Sequence, residues 1–106
     1  MRQKVWKLKV KKAQEELEVA KDKYHMNGKS RDNFNKLLGK RIKLGRVIRG
    51  MSQSKVARGS NVTFQQIQKY EKGDNELSTW RLTRIAAILN TTIKWLLKPI
   101  KHRKEW

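Results

Sequence analysis

The chain has 106 residues, enough for one domain with appendages, and its 27 Lys+Arg against 9 Asp+Glu give a formal charge of +18, which favours a polyanionic partner. It has no cysteine, which excludes disulfides and thiolate metal sites and is compatible with a reducing cytoplasm. No apolar run approaches the ~18 residues of a membrane span, and the start MRQKVWKLKVKK lacks the continuous hydrophobic region of a signal peptide; a cytoplasmic or nucleoid protein, with no membrane partner, is expected. The charge divides as +5 over residues 1–30, +10 over 31–97 and +3 over 98–106, so the largest share lies in the middle of the chain.

Residues 1–30 read as a basic amphipathic extension. Trp6, Val10, Ala13, Leu17, Ala20 and Tyr24 recur at alternating spacings of four and three, the face of a coiled-coil-like helix, expected over about residues 10–25. Trp6, Leu8 and Val10 also alternate with Lys7, Lys9 and Lys11 as an edge strand would, which leaves residues 1–9 open. Four uses compete for this segment. It could pair with its copy, pack on the following domain, lie along a nucleic-acid backbone with Lys4, Lys7, Lys9, Lys11 and Lys12 near phosphates, or stay a solvated extension that orders only on binding. His25 to Ser30 reads as a linker.

The next helix is expected from about Asp32 or Asn33 to Arg49, with Phe34, Leu38, Ile42 and Val47 inward and Gly50 as its stop. Ser52 to Gly73 then reads as helix, turn, helix. Ser52 is placed to cap the first of this pair, whose apolar edge is Met51, Val56 and Ala57. Gly59-Ser60-Asn61, poor helix formers, end it. Thr63 sits where an N-cap belongs, Val62, Ile67 and Tyr70 form the inner edge of the second helix, and Gly73 supplies the stop. With Ile67 and Tyr70 inward, Phe64, Gln65, Gln66, Gln68, Lys69 and Lys72 take the N-terminus and flanks. Glutamine matches N6 and N7 of adenine in the major groove, lysine reaches O6 or N7 of guanine, and phenyl presses on a thymine methyl. A solvated polar face would have the same composition.

After the loop at Gly73 to Glu76, Ser78 caps a helix whose apolar face is Leu82, Ile85, Ala86 and Leu89, with Asn90 as the left-handed residue at its end. Thr92 caps a last short helix containing Ile93, Trp95, Leu96 and Leu97. Trp80 and Trp95 read as core or edge packing. Pro99 stops the helix, and residues 98–106 read as a basic tail that frays.

Three stretches, LGKRIKLGRVIRGMSQ, VARGSNVTFQQIQKYEKG and RLTRIAAILNTTIKWLL, together resemble the Cro/C1-type (Xre-like) helix-turn-helix family of phage and bacterial transcription regulators, without a gap from about Leu38 to Leu97. The resemblance implies an all-α, five-helix, lambda repressor-like domain over residues 31–97, with its third helix, about Thr63 to Lys72, in the major groove of double-stranded DNA. On this pattern Phe64, Gln65, Gln66 and Lys69 read bases, while Ser52, Gln53, Thr63, Lys72 and Asn75 hold phosphates. Arg46 falls at the arginine that pairs with a glutamate late in the recognition helix, here Glu71. Two positions depart from the family: Gly45 replaces a large apolar residue, and Ser60-Asn61 replaces an apolar residue followed by glycine. Gly45 is expected to weaken its helix by about 0.5–1 kcal/mol relative to alanine.

The leading functional expectation is a sequence-specific, double-stranded DNA-binding transcription regulator acting as a homodimer. The alternative is an antitoxin or phage-encoded interaction protein using the same domain, with residues 1–30 binding a protein partner. A third is non-specific nucleic-acid binding by charge alone. No enzyme, metal site or cofactor is read: His25 and His102 lie in the linker and tail, carboxylates are scattered, and no phosphate loop, HExxH or GxSxG is present.

Overall fold

Among the described residues, four helices begin on a hydroxyl. Ser52, Thr63, Ser78 and Thr92 hold extended backbone angles, and each side chain accepts from the N–H three residues on, at Lys55, Gln66, Arg81 and Trp95. Each cap satisfies a donor that the first helical turn would otherwise leave free. The helix ends follow the same local logic, with Asn61, Asn90, Gly50 and Gly73 at positive φ. In the computed structural model, which describes residues 2–24 and 31–98, these signals delimit α1 (Arg2–Tyr24), α2 (Arg31–Ile48), α3 (Gln53–Ser60), α4 (Phe64–Lys72), α5 (Thr79–Ile88) and α6 (Ile93–Leu97). No strand occurs among the described residues.

The main core collects Leu38 and Ile42 of α2, Val56 and Ala57 of α3, Ile67 and Tyr70 of α4, Ile85 and Ala86 of α5 with Leu89 just beyond it, and Leu96 of α6. Phe34, Met51, Val62, Trp95 and Leu97 pack around it half-buried. This is the all-α, lambda repressor-like fold, with one further helix in front.

That further helix docks on the domain. Ala13, Leu17 and Ala20 of α1 are buried against Leu37 and Leu44 of α2. Contacts along the pair run in opposite directions: Trp6 near Val47, Glu16 on Lys43, and the Tyr24 carbonyl accepting from Asn33 Nδ2 at 3.0 Å. The two helices are therefore antiparallel. Over residues 2–9 the strand alternative fails, and the expected start near residue 10 falls short, because α1 begins at Arg2 and Trp6 anchors it. Its indole Nε1 donates to the carbonyls of Val47 and Ile48 at 3.0 Å, tying the start of α1 to the end of α2. Leu8, between Trp6 and Val10 in the alternation, lies exposed on another face.

Gly39 explains how closely α2 and α4 cross. A Cβ there would overlap the backbone carbonyls of Tyr70 and Glu71, so only glycine admits this approach. Gly45 is likewise buried, and a Cβ would press at 3.2 Å on the Trp95 ring and at 3.3 Å on Leu89. Where the resemblance implies a large apolar residue, the space beside Gly45 is filled by Trp95 and Leu89. Trp95 is half-buried as expected, but Trp80 is 57% exposed, a correction to its reading as packing. The first helix of the central pair also continues through Gly59 and Ser60 before Asn61 ends it. The expected linker at 25–30 and all of the expected tail beyond Lys98 lie outside the described residues.

Candidate nucleic-acid interface

The candidate interface is α4, whose sides have opposite characters. Ile67, Tyr70 and Glu71 are buried, while Phe64, Gln65, Lys69 and Lys72 are exposed and Gln66 and Gln68 are intermediate. Phe64 leaves 40% of its surface in water at the first turn, an apolar ring with no packing reason to be there.

Glu71 fixes the helix from behind. Arg46 of α2 donates to it through Nε at 2.6 Å and Nη2 at 3.1 Å, and Gln53 of α3 donates through Nε2 at 3.0 Å. The side chains of Arg46 and Glu71 retain 13% and 5% exposure, so this is a buried, bidentate pair, not a surface contact. Arg46 also donates to the Met51 carbonyl at 2.9 Å, drawing in the α2–α3 connection. Three helices thus meet at one carboxylate. Three candidate phosphate ligands already have partners: the Ser52 and Thr63 hydroxyls accept from the N–H groups they cap and keep their own proton to donate, and one amide N–H of Gln53 serves Glu71 while the second is still available as a donor.

The turn between α3 and α4 is held from α5. Arg81 Nη1 donates to the carbonyls of Ser60 and Asn61 at 2.8 and 3.1 Å, a cation over the end of α3, where the helix dipole favours positive charge. The Arg81 guanidinium lies 4.9 Å from the centre of the exposed Trp80 ring. At the other end of α4, Lys36 Nζ donates to the Lys72 carbonyl at 3.0 Å and approaches Asp74 at 3.4 Å. Lys36 and Arg81 were not among the candidate residues. Nothing local marks them, because each acts on backbone twenty or more positions away.

The candidate phosphate residues fall on both sides of α4. Ser52 and Gln53 stand at the start of α3, Thr63 caps α4, and Lys72 and Asn75 follow its C-terminus; Ser52, Thr63 and Lys72 are exposed. The two capped helix starts carry free N–H groups and the positive end of the dipole, a favourable setting for phosphate. No group of residues that could hold a metal occurs among the described residues, and no helix there is long and apolar enough to cross a membrane.

A family model described as Helix-turn-helix matches residues 42–96. The chain belongs to the Cro/C1-type helix-turn-helix family. Its curated relatives include an uncharacterised HTH-type transcriptional regulator of Sinorhizobium medicae, 46% identical over 61 residues, which are 58% of this chain and 44% of that protein. Another from Rickettsia conorii is 35% identical over 78 residues, 71% of this chain and 62% of its own. A transcriptional regulator of Rhodospirillum rubrum is 38% identical over 65 residues, 61% and 60% of the two chains. The chain spans between 44% and 62% of the length of these three relatives. Within the helix-turn-helix, the pair α3 and α4 with its turn is the element that gives the family its name, and this chain carries it on a buried Arg46–Glu71–Gln53 network.

The apolar face of α1 bears on the interaction-protein alternative. Ala13, Leu17 and Ala20 are covered by α2, so the stripe that could have captured a partner is occupied within the chain.

Proposed function

We propose that this protein is a sequence-specific, double-stranded DNA-binding transcription regulator that lays α4 in the major groove and binds as a homodimer in the nucleoid. The observation that carries the reading is the division of α4, anchored behind through Ile67, Tyr70 and Glu71 and presenting Phe64, Gln65 and the partly exposed Gln66 in its first turn and Lys69 in its last. Gln65 and Gln66 take adenine edges, Lys69 a guanine, and Phe64 a thymine methyl. Ser52, Gln53, Thr63, Lys72 and Asn75 grip phosphates on either side and set register without reading sequence. The net charge of +18 adds a sequence-independent attraction.

The test compares two substitutions on a duplex enriched from a random pool and on unselected DNA. Gln65→Ala weakens binding to the enriched duplex by about 1–3 kcal/mol and leaves unselected DNA nearly unchanged, whereas Lys72→Ala weakens both and flattens the salt slope by about one. An equal loss from Gln65→Ala on the two DNAs removes it from the base-reading set.

A further inference from the structure

The charge of α1 is unevenly distributed. Arg2, Lys4, Lys7, Lys9, Lys11 and Lys12 lie in its first half with no acid among them, and all its carboxylates, Glu15, Glu16, Glu18 and Asp22, lie in the second. The antiparallel packing on α2 carries the cationic half to the end of α2, where the chain turns into α3. There a groove of about 570 Å³, with Val5, Trp6, Val47 and Met51 as its apolar lining, carries Arg2 and Lys9 on the α1 side and, on the other, Ser52, the residue that caps α3. Arg46 also lines it but is bound to Glu71. Arg2 and Lys9 are exposed, and neither pairs with a carboxylate among the described residues. The Trp6 indole, bonded to the last carbonyls of α2, fixes their position.

We infer that this groove is a second phosphate site, in which Arg2 and Lys9 of α1 take the DNA backbone next to the phosphate held at the start of α3. The inference rests on the proposed placement of α3 and α4 on DNA and extends that footprint beyond the helix-turn-helix. The occupant is duplex DNA, because two cations without partners open onto the helix start already assigned to its backbone, and a phosphodiester strand supplies anions in a continuous row. Trp6 is a positioning residue: it makes no contact with the phosphate and holds the helix that does.

The experiment measures full-length protein on the enriched duplex and on unselected DNA over a range of salt. Each phosphate contact contributes about 0.9 to the slope of log K against log salt. The double variant Arg2→Ala/Lys9→Ala is expected to lower the slope by about 1.8 on both DNAs, so that between about 50 and 200 mM salt it loses roughly tenfold less affinity than wild type. The enriched motif stays the same. Lys21→Ala/Lys23→Ala, an equal change of charge at the far end of α1, is expected to leave the slope in place. An unchanged slope for the first pair, or equal slopes for both pairs, overturns the site, and Gln65→Ala discrimination persisting in that case leaves the regulator reading intact. A slope lowered only by the first pair, with no discrimination by Gln65, supports the site and defeats the base-reading role of α4.

Discussion

Glu71 accepts three hydrogen bonds from two helices while almost fully buried, and it is the residue on which the presentation of α4 depends. Removing one partner of such a pair leaves a charge without compensation, at a cost of about 3–5 kcal/mol. Arg46→Ala and Glu71→Ala are each expected to destabilise on this scale in urea unfolding, and the double variant to lose much less than their sum. Additivity within about 0.5 kcal/mol would show that the pair is not coupled. At the interhelical contact of Glu16 and Lys43, 2.7 Å apart, burial pushes the Glu16 carboxyl up, but the hydrogen bond and charge of Lys43, with Lys40 and Lys12, outweigh it and hold the pKa below its ordinary value. A carboxylate depressed on folding contributes stability above its unfolded pKa of about 4.3, and loses it as pH falls through the lower folded value. Unfolding measured from neutral to acid pH is expected to show a smaller acid loss in Glu16→Gln than in wild type; identical profiles would separate Glu16 from the effect.

At the scale of elements, α1 is held by a narrow apolar seam, and its central residue is Leu17. Truncating a buried leucine costs about 2–5 kcal/mol, so Leu17→Ala is expected to lower urea stability within that range if α1 unfolds with the domain. A cost under about 0.5 kcal/mol, with amide exchange lost in α1 alone, would mean that α1 opens independently. The sequence made the caps legible: Ser52, Thr63, Ser78 and Thr92, with Asn61, Gly73 and Asn90, act locally and can be read one turn at a time. It also showed the seam of α1, since Ala13, Leu17 and Ala20 have helical spacing. What covers that seam was less legible, because α2 buries two faces, Leu38 and Ile42 toward one core and Leu37 and Leu44 toward the other, and two stripes on one helix blur a single period. Trp6 fits both the strand alternation and the helical spacing to Val10, and its bond to the distant end of α2, which ties down the start of α1, leaves no mark in the local sequence. Lys36 and Arg81 bind carbonyls far along the chain, and composition carries no trace of such contacts.

For the whole molecule, charge and shape have separate consequences. The excess of cations attracts any duplex, weakens with salt and carries no sequence information. In the proposed function, discrimination comes from the few side chains that α4 presents, and two-fold pairing would repeat them about 34 Å apart, one turn of the double helix. Selection of the full chain on a randomised duplex pool at two salt concentrations, followed by sequencing, measures both properties at once. The account predicts an enriched two-fold motif, with half-sites one helical turn apart, that persists at the higher salt. A pool that stays random while affinity collapses as salt rises would contradict it and leave charge alone as the source of binding.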